Sequence, residues 1–199
     1  MTDQIRCGPI LPADRDRMAE VIDSAFGDSL AAFLPERSSR LRILTAGVNP
    51  AAAIGGYLDD RLAGVIGLKT ADASVFDALT SDLLRRELGS VSLRARLAIA
   101  LLGRPLQPGT IRIEFVAVDA AARGRGVGQA LLDAATGFAC KMGATRLELH
   151  VEPANTEAQW LYQRAGFVQA EPARESFLRR TLAPQTDRRM IKELTCTTS

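Results

Sequence analysis

The chain is poor in the residues from which metal sites and disulfide frameworks are built, with three cysteines and one histidine in 199 residues. Cys7, Cys140 and Cys196 stand far apart and form no C-x-x-C pair, so no zinc site or dithiol redox motif is expected. Three unpaired thiols fit a reducing cytoplasm better than a secreted protein. Long apolar runs are missing too. The run Leu97 to Leu102 lies between Arg96 and Arg104, far short of the roughly 18 residues a spanning helix needs. Met1 to Arg6 lacks the basic-then-apolar order of a signal peptide. The formal net charge is only +2, which implies neither nucleic acid nor an anionic membrane as a partner. With no internal repeat and no low-complexity linker, the expectation is one soluble, cytoplasmic α/β domain over residues 1–199.

What is present is a core-forming composition, 47% hydrophobic and 24% charged, in a chain long enough to bury a core. Ile5 to Ile10 reads as a strand. Met18, Val21, Ile22, Ala25 and Phe26 follow helical spacing, and a second helix is expected between Ala31 and Asn49. Ala52 to Tyr57 and Arg61 to Lys69 flank the turn Asp59-Asp60 as a hairpin, although Gly64 and Gly67 weaken the second arm as a strand. A helical insertion is expected over about 71–109, with Phe76, Leu79, Leu83 and Leu84 as one stripe and Leu93, Leu97, Ala100 and Leu101 as another. Its alternating arginines and acids read as a solvated face.

The pattern is clearest from Ile111 onward. Ile111 to Val118 is a strand, and the helix after it carries Leu131, Ala135, Phe138 and Met142 on one face. Leu147, Leu149 and Val151 alternate with Glu148, His150 and Glu152, so the histidine is expected on the solvent side. Thr156 to Gln159 fits a capping box at the start of a helix that stops at Gly166, and Met190 to Leu194 is the final strand.

Between the strand and the first of these helices stands Arg123-Gly124-Arg125-Gly126-Val127-Gly128. Glycines there let the backbone approach a ligand closely. The free N–H groups and partial positive charge of a helix N-terminus bind phosphate oxygens, and two arginines add charge. The chemistry points to an anion, and the expectation is a pyrophosphate. A Walker loop is excluded, because no G-x-x-x-x-G-K-[ST] occurs. A dinucleotide fingerprint fails in both frames, ending on Gln129 or Leu131.

The remaining pattern, R-x-x-G-x-G, stands with the strand Glu114 to Val118 before it and Asn155-x-x-Ala158-x-x-Leu161-Tyr162-x-x-x-Gly166-Phe167 after it. In that order and spacing the three resemble the GCN5-related N-acetyltransferase (GNAT) superfamily over Ile111 to Phe167. The resemblance implies a mixed central sheet splayed between the fourth strand, Ile111 to Val118, and the fifth, Leu147 to Val151. It further implies acetyl-CoA as co-substrate in the splay. Val116, Ala117 and Val118 would lie along the pantetheine arm, the backbone of Arg123, Gly124, Arg125, Gly126, Val127 and Gly128 would hold the pyrophosphate, and Asn155 would touch the cofactor arm unless it merely caps its helix. Tyr162 would protonate the departing thiolate, and Glu114, a carboxylate in an apolar strand, is the candidate general base. The implied reaction is direct acetyl transfer to a primary amine in a ternary complex; a non-catalytic acyl-CoA-binding module is the alternative. The acceptor is a small molecule or protein amine that the sequence does not specify, and a homodimer is compatible. Trp160 reads as core or a subunit contact, and Cys140 as a buried, inert thiol.

Overall fold

Two acidic residues with positive φ, Asp59 at 50° and Asp60 at 62°, give the tight turn whose twist suits a hairpin. They join β2 (Ala53–Leu58) to β3 (Arg61–Lys69). This hairpin lies within a seven-stranded sheet of order β1-β2-β3-β4-β5-β7-β6. The other strands are β1 (Ile5–Pro9), β4 (Thr110–Val118), β5 (Arg146–Val151), β6 (Val168–Gln169) and β7 (Arg188–Glu193). Every neighbouring pair is antiparallel except β4 and β5, which run parallel. The computed structural model describes residues 4–31, 34–88, 106–170 and 188–196.

Helices cover both faces, so the central strands read as nearly continuous apolar runs. On one face α1 (Arg15–Ala31) packs on β3 and β4, and α2 (Arg37–Gly47) packs on α1. Met18, Val21 and Ile22 of α1 share a core there with Val65, Val75 and Ala117. The opposite face carries α4 (Val127–Lys141) and α5 (Thr156–Arg164). Leu131, Leu132, Ala135 and Tyr162 pack there with Ile66, Ile113 and Leu149. The glycines in β3 are explained by this packing. A Cβ on Gly64 would fall 2.7 Å from Val127 Cγ1, and one on Gly67 2.5 Å from the Phe115 ring. The strand gives up side chains where α4 and Phe115 press against its backbone.

The expected insertion differs in its first part. Residues 71–80 form turns, with an isolated bridge between Lys69 and Ser74, and α3 covers Ser81–Leu88 among the described residues. The ten residues of turn reflect side-chain competition for the backbone. Thr70 Oγ1 accepts from the N–H groups of Asp72 and Ala73, and Asp77 accepts from that of Ser74. Leu93, Leu97, Ala100 and Leu101 lie outside the described residues.

The thiols also differ from expectation. Cys140, near the end of α4, is bonded to Cys196 beyond β7, with Cα atoms 5.4 Å apart, inside the usual range for a disulfide. Sequence alone could not show it, because 56 residues separate the two. Cys7 is the free cysteine. The solvent-side reading of Glu148 is corrected as well. Glu148 is buried and shared between Arg112 of β4 and Arg189 of β7, at 2.6 and 2.9 Å. Burial alone would raise its pKa, but the two guanidinium groups outweigh it and hold the carboxyl below its ordinary value. His150, on the same strand, is half-buried opposite Arg189. Trp160 is 69% exposed, which removes it from the core.

Candidate active site

The site begins where two parallel strands part. β4 pairs with β5 only through Thr110 to Ile113, so from Glu114 to Val118 the β5-facing edge of β4 has no strand beside it among the described residues. At the same point the register against β3 slips. Ile113 stands opposite Leu68 and Phe115 opposite Gly67, which leaves Glu114 as the extra residue of a β-bulge. Beyond it, Val116 and Val118 pack toward α4 while Ala117 is fully buried toward α1.

Glu114 is half-buried and accepts a 2.6 Å hydrogen bond from the Ser74 hydroxyl. Burial raises its pKa, and the bond from Ser74 and the charges of Lys69 and Arg112 offset that only in part. A carboxylate held this way is a better proton acceptor than a solvated one. Ser74 escaped the sequence reading because it falls in the stretch taken for helix.

At the end of β4, Asp119 organises the approach to the glycine loop. Its side chain accepts from Ala121 N–H, its own N–H donates to Ala63 O, and its other carboxylate oxygen pairs with Arg17 of α1. The Ala121 N–H and the Arg17 charge depress the Asp119 pKa against a smaller opposing effect of burial. Arg17 Nε also donates to Leu62 O, and Ala120 N–H and the Arg123 side chain both reach Ser24 of α1. One helix thus braces the loop from Asp119 to Arg123. Asp119 carries a sequence signal, an Asx turn directly after a strand; Arg17 carries none.

In the loop, Gly124 has φ +74° and Gly126 φ +87°, left-handed values that a side chain adopts at a cost. Gly126 is the N-cap of α4. The N–H groups of Gly124, Gly126, Val127, Gly128 and Gln129 find no acceptor among the described residues; the first helical bond is Ala130 N–H to Gly126 O. Arg123 to Gly126 are exposed, and Arg125 lies 3.5 Å from Asp59. The result is a cluster of outward backbone donors at a helix N-terminus, suited to a polyanion. Gly128 brings α4 against α5, where a Cβ would meet Leu161 at 3.1 Å.

α5 carries the last two candidates. Tyr162 is 8% exposed, packs edge-on to Phe167 at 6.1 Å, and its hydroxyl has no hydrogen-bond partner among the described residues. Burial pushes its pKa up to about 12. Asn155, rather than Thr156, is the N-cap, and its Oδ1 accepts from Ala158 N–H at 3.0 Å. The capping box shifts by one residue because Gln159 turns to the carbonyls of Glu152 and Pro153 and to Arg188. Asn155 Oδ1 is therefore committed to the helix, with only its Nδ2 left to meet a ligand. Among the described residues no group of three or more His, Cys, Asp or Glu side chains is placed to hold a metal ion.

Comparison with known proteins bears on the family and the fold. The profile of the Acetyltransferase (GNAT) family matches residues 18–167. A mycothiol acetyltransferase of Beutenbergia cavernae is 43% identical over 59 residues, which cover 30% of this chain and 20% of that protein. The match thus spans about a fifth of that relative's length. A crystal structure of an acetyltransferase superposes with TM-score 0.66 at 18% identity, covering 95% of this chain and 99% of the other. The PaiA N-acetyltransferase of Thermoplasma acidophilum, solved with coenzyme A, gives 0.58 at 15% identity, covering 96% and 99%. These structural likenesses concern the fold.

Proposed function

Because the chain belongs to the GNAT acetyltransferase family, we propose that it transfers the acetyl group of acetyl-CoA to a primary amine, with both substrates bound together. The observation that carries this reading is the set of five N–H groups between Gly124 and Gln129, Arg125 excepted, that find no acceptor among the described residues. It stands at the end of a strand whose last five residues have lost their β5 neighbour. A pyrophosphate on that run would let an extended arm lie back along Val118, Ala117 and Val116. Four residues of strand from Val118 to Glu114 span about 13 Å, enough to bring a thioester to the fork.

In this reading Glu114 accepts the amine proton, directly or through water. The nitrogen–carbon bond forms as the carbon–sulfur bond breaks. A main-chain N–H between Val116 and Val118 stabilises the negative carbonyl oxygen, and Tyr162 faces the sulfur. With a pKa near 12, its phenol stays protonated but is a weaker acid than a thiol of about 8.5. Its contribution is therefore a hydrogen bond to the departing sulfur, with the proton balance closed through solvent. Tyr162→Phe is expected to lower kcat about tenfold, the worth of one hydrogen bond to a charged group. An unchanged kcat would remove Tyr162 from the mechanism.

The reading as a whole is tested by thermal shift against coenzyme A, NAD and ATP, followed by thiol release in the presence of amines. Stabilisation by NAD or ATP alone would overturn it; stabilisation by coenzyme A without turnover on any amine would favour the non-catalytic acyl-CoA-binding module. Gly126→Ala should weaken coenzyme A binding about 5- to 30-fold by calorimetry, since the free loop would relax out of this φ and binding would have to restore it at roughly 1–2 kcal/mol. A cytoplasmic location is part of the same proposal, but it no longer draws support from three free thiols, because Cys140 and Cys196 are bonded.

A further inference from the structure

Beside Glu114 lies a group of aromatic rings that the acetyl-transfer chemistry does not use. Phe115 follows Glu114 in the bulge. Its ring is met edge-on by Phe26 of α1 at 6.1 Å and at a tilt by Phe76 at 5.6 Å. Phe76 belongs to the turn that also supplies Ser74 to Glu114, and its N–H donates to the same Ser74 hydroxyl. All three rings pack against the α1-side core yet remain only partly buried, so together they leave a contiguous apolar face uncovered. They come from three separate elements and meet on Phe115, next to the first β4 residue that β5 leaves unpaired. The carboxylate at their edge is likewise half-buried.

We propose that Phe26, Phe76 and Phe115 form the acceptor-binding wall, and that the acceptor is a primary amine carrying an aromatic or bulky apolar group. This rests on the acetyl-transfer reading and names the class of amine. The apolar group packs on the rings, and the nitrogen, one or two carbons away, is placed at Glu114. A small hydrophilic amine or a polyamine leaves the wall wet and gains only the carboxylate. The rings are specificity-determining residues, and their loss falls on acceptor KM more than on kcat.

The test uses the full chain saturated with coenzyme A. Binding of 2-phenylethylamine, ethanolamine and putrescine is followed by saturation-transfer NMR, and turnover by thiol release from acetyl-CoA. The expected result is ring-proton contact with 2-phenylethylamine and a kcat/KM at least tenfold above the other two. Phe26→Ala and the volume-sparing Phe115→Leu should raise its KM tenfold or more while leaving coenzyme A affinity unchanged, which also certifies that the variants fold. Coenzyme A binding with ethanolamine or putrescine preferred, or with the variants leaving KM unmoved, overturns the wall and leaves acetyl transfer standing. Failure of coenzyme A itself to bind overturns both.

Discussion

Glu114→Gln should lower kcat/KM by about 100-fold at neutral pH, the lower end of what a positioned general base contributes. It should also abolish the acid limb of the pH profile. In the unmodified protein that limb should lie above the ordinary glutamate range, because burial raises the Glu114 pKa more than Ser74, Lys69 and Arg112 lower it. The linkage runs in the matching direction. A carboxyl whose folded pKa is raised binds its proton more tightly in the folded chain. Its ionisation therefore costs stability as pH climbs from the unfolded value through the folded one. Glutamine escapes that cost and still accepts from Ser74. Denaturant midpoints for Glu114→Gln at pH 8 should therefore equal or exceed those of the parent while turnover collapses. A joint loss of activity and stability would instead mark Glu114 as a structural residue.

The second large effect is on stability. The Cys140–Cys196 bond closes a loop of 56 residues in sequence, for which chain entropy allows up to about 4 kcal/mol and measured cases run about 2–5 kcal/mol. Cys196→Ser, or reduction of the intact chain, should lower the unfolding free energy by about 2–4 kcal/mol in urea melts. Alkylation with mass analysis should find one accessible thiol, Cys7, before reduction and three after. If reduction leaves the midpoint unchanged and three thiols react from the outset, the bond does not hold the native protein. Coenzyme A affinity should change much less, since the bond joins the far end of α4 and the glycine loop caps the near end.

The regions that were legible in the sequence are those where local chemistry and tertiary role coincide. The glycine loop announces itself because the left-handed φ values of Gly124 and Gly126 demand that residue type. The hairpin at Asp59-Asp60 and the alternating core residues of β5 are legible for the same reason. What escaped is non-local. Arg17 and Asp119 are 102 residues apart, and Ser74 and Glu114 are 40 apart. Neither pairing leaves a periodicity. Glu148 looked like one of three outward polar residues, because alternation cannot foresee an arginine arriving from each neighbouring strand. Asn155 shows a further limit: its residue type suits a cap and a ligand contact equally, and only Gln159 turning away from the cap decided how its oxygen is used.

The bulge at Glu114 puts the two halves of β4 out of phase. Strict alternation would place Glu114 and Phe115 on opposite sides of the sheet, so the proposed proton acceptor and the proposed apolar wall could not be adjacent in sequence and both serve one substrate. Past the inserted residue, Val116 and Val118 lie on the α4 side. Deleting Glu114 would let β4 pair regularly with β3 and leave Val116 and Val118 on the α4 side, so it would remove the carboxylate without turning the proposed cofactor edge.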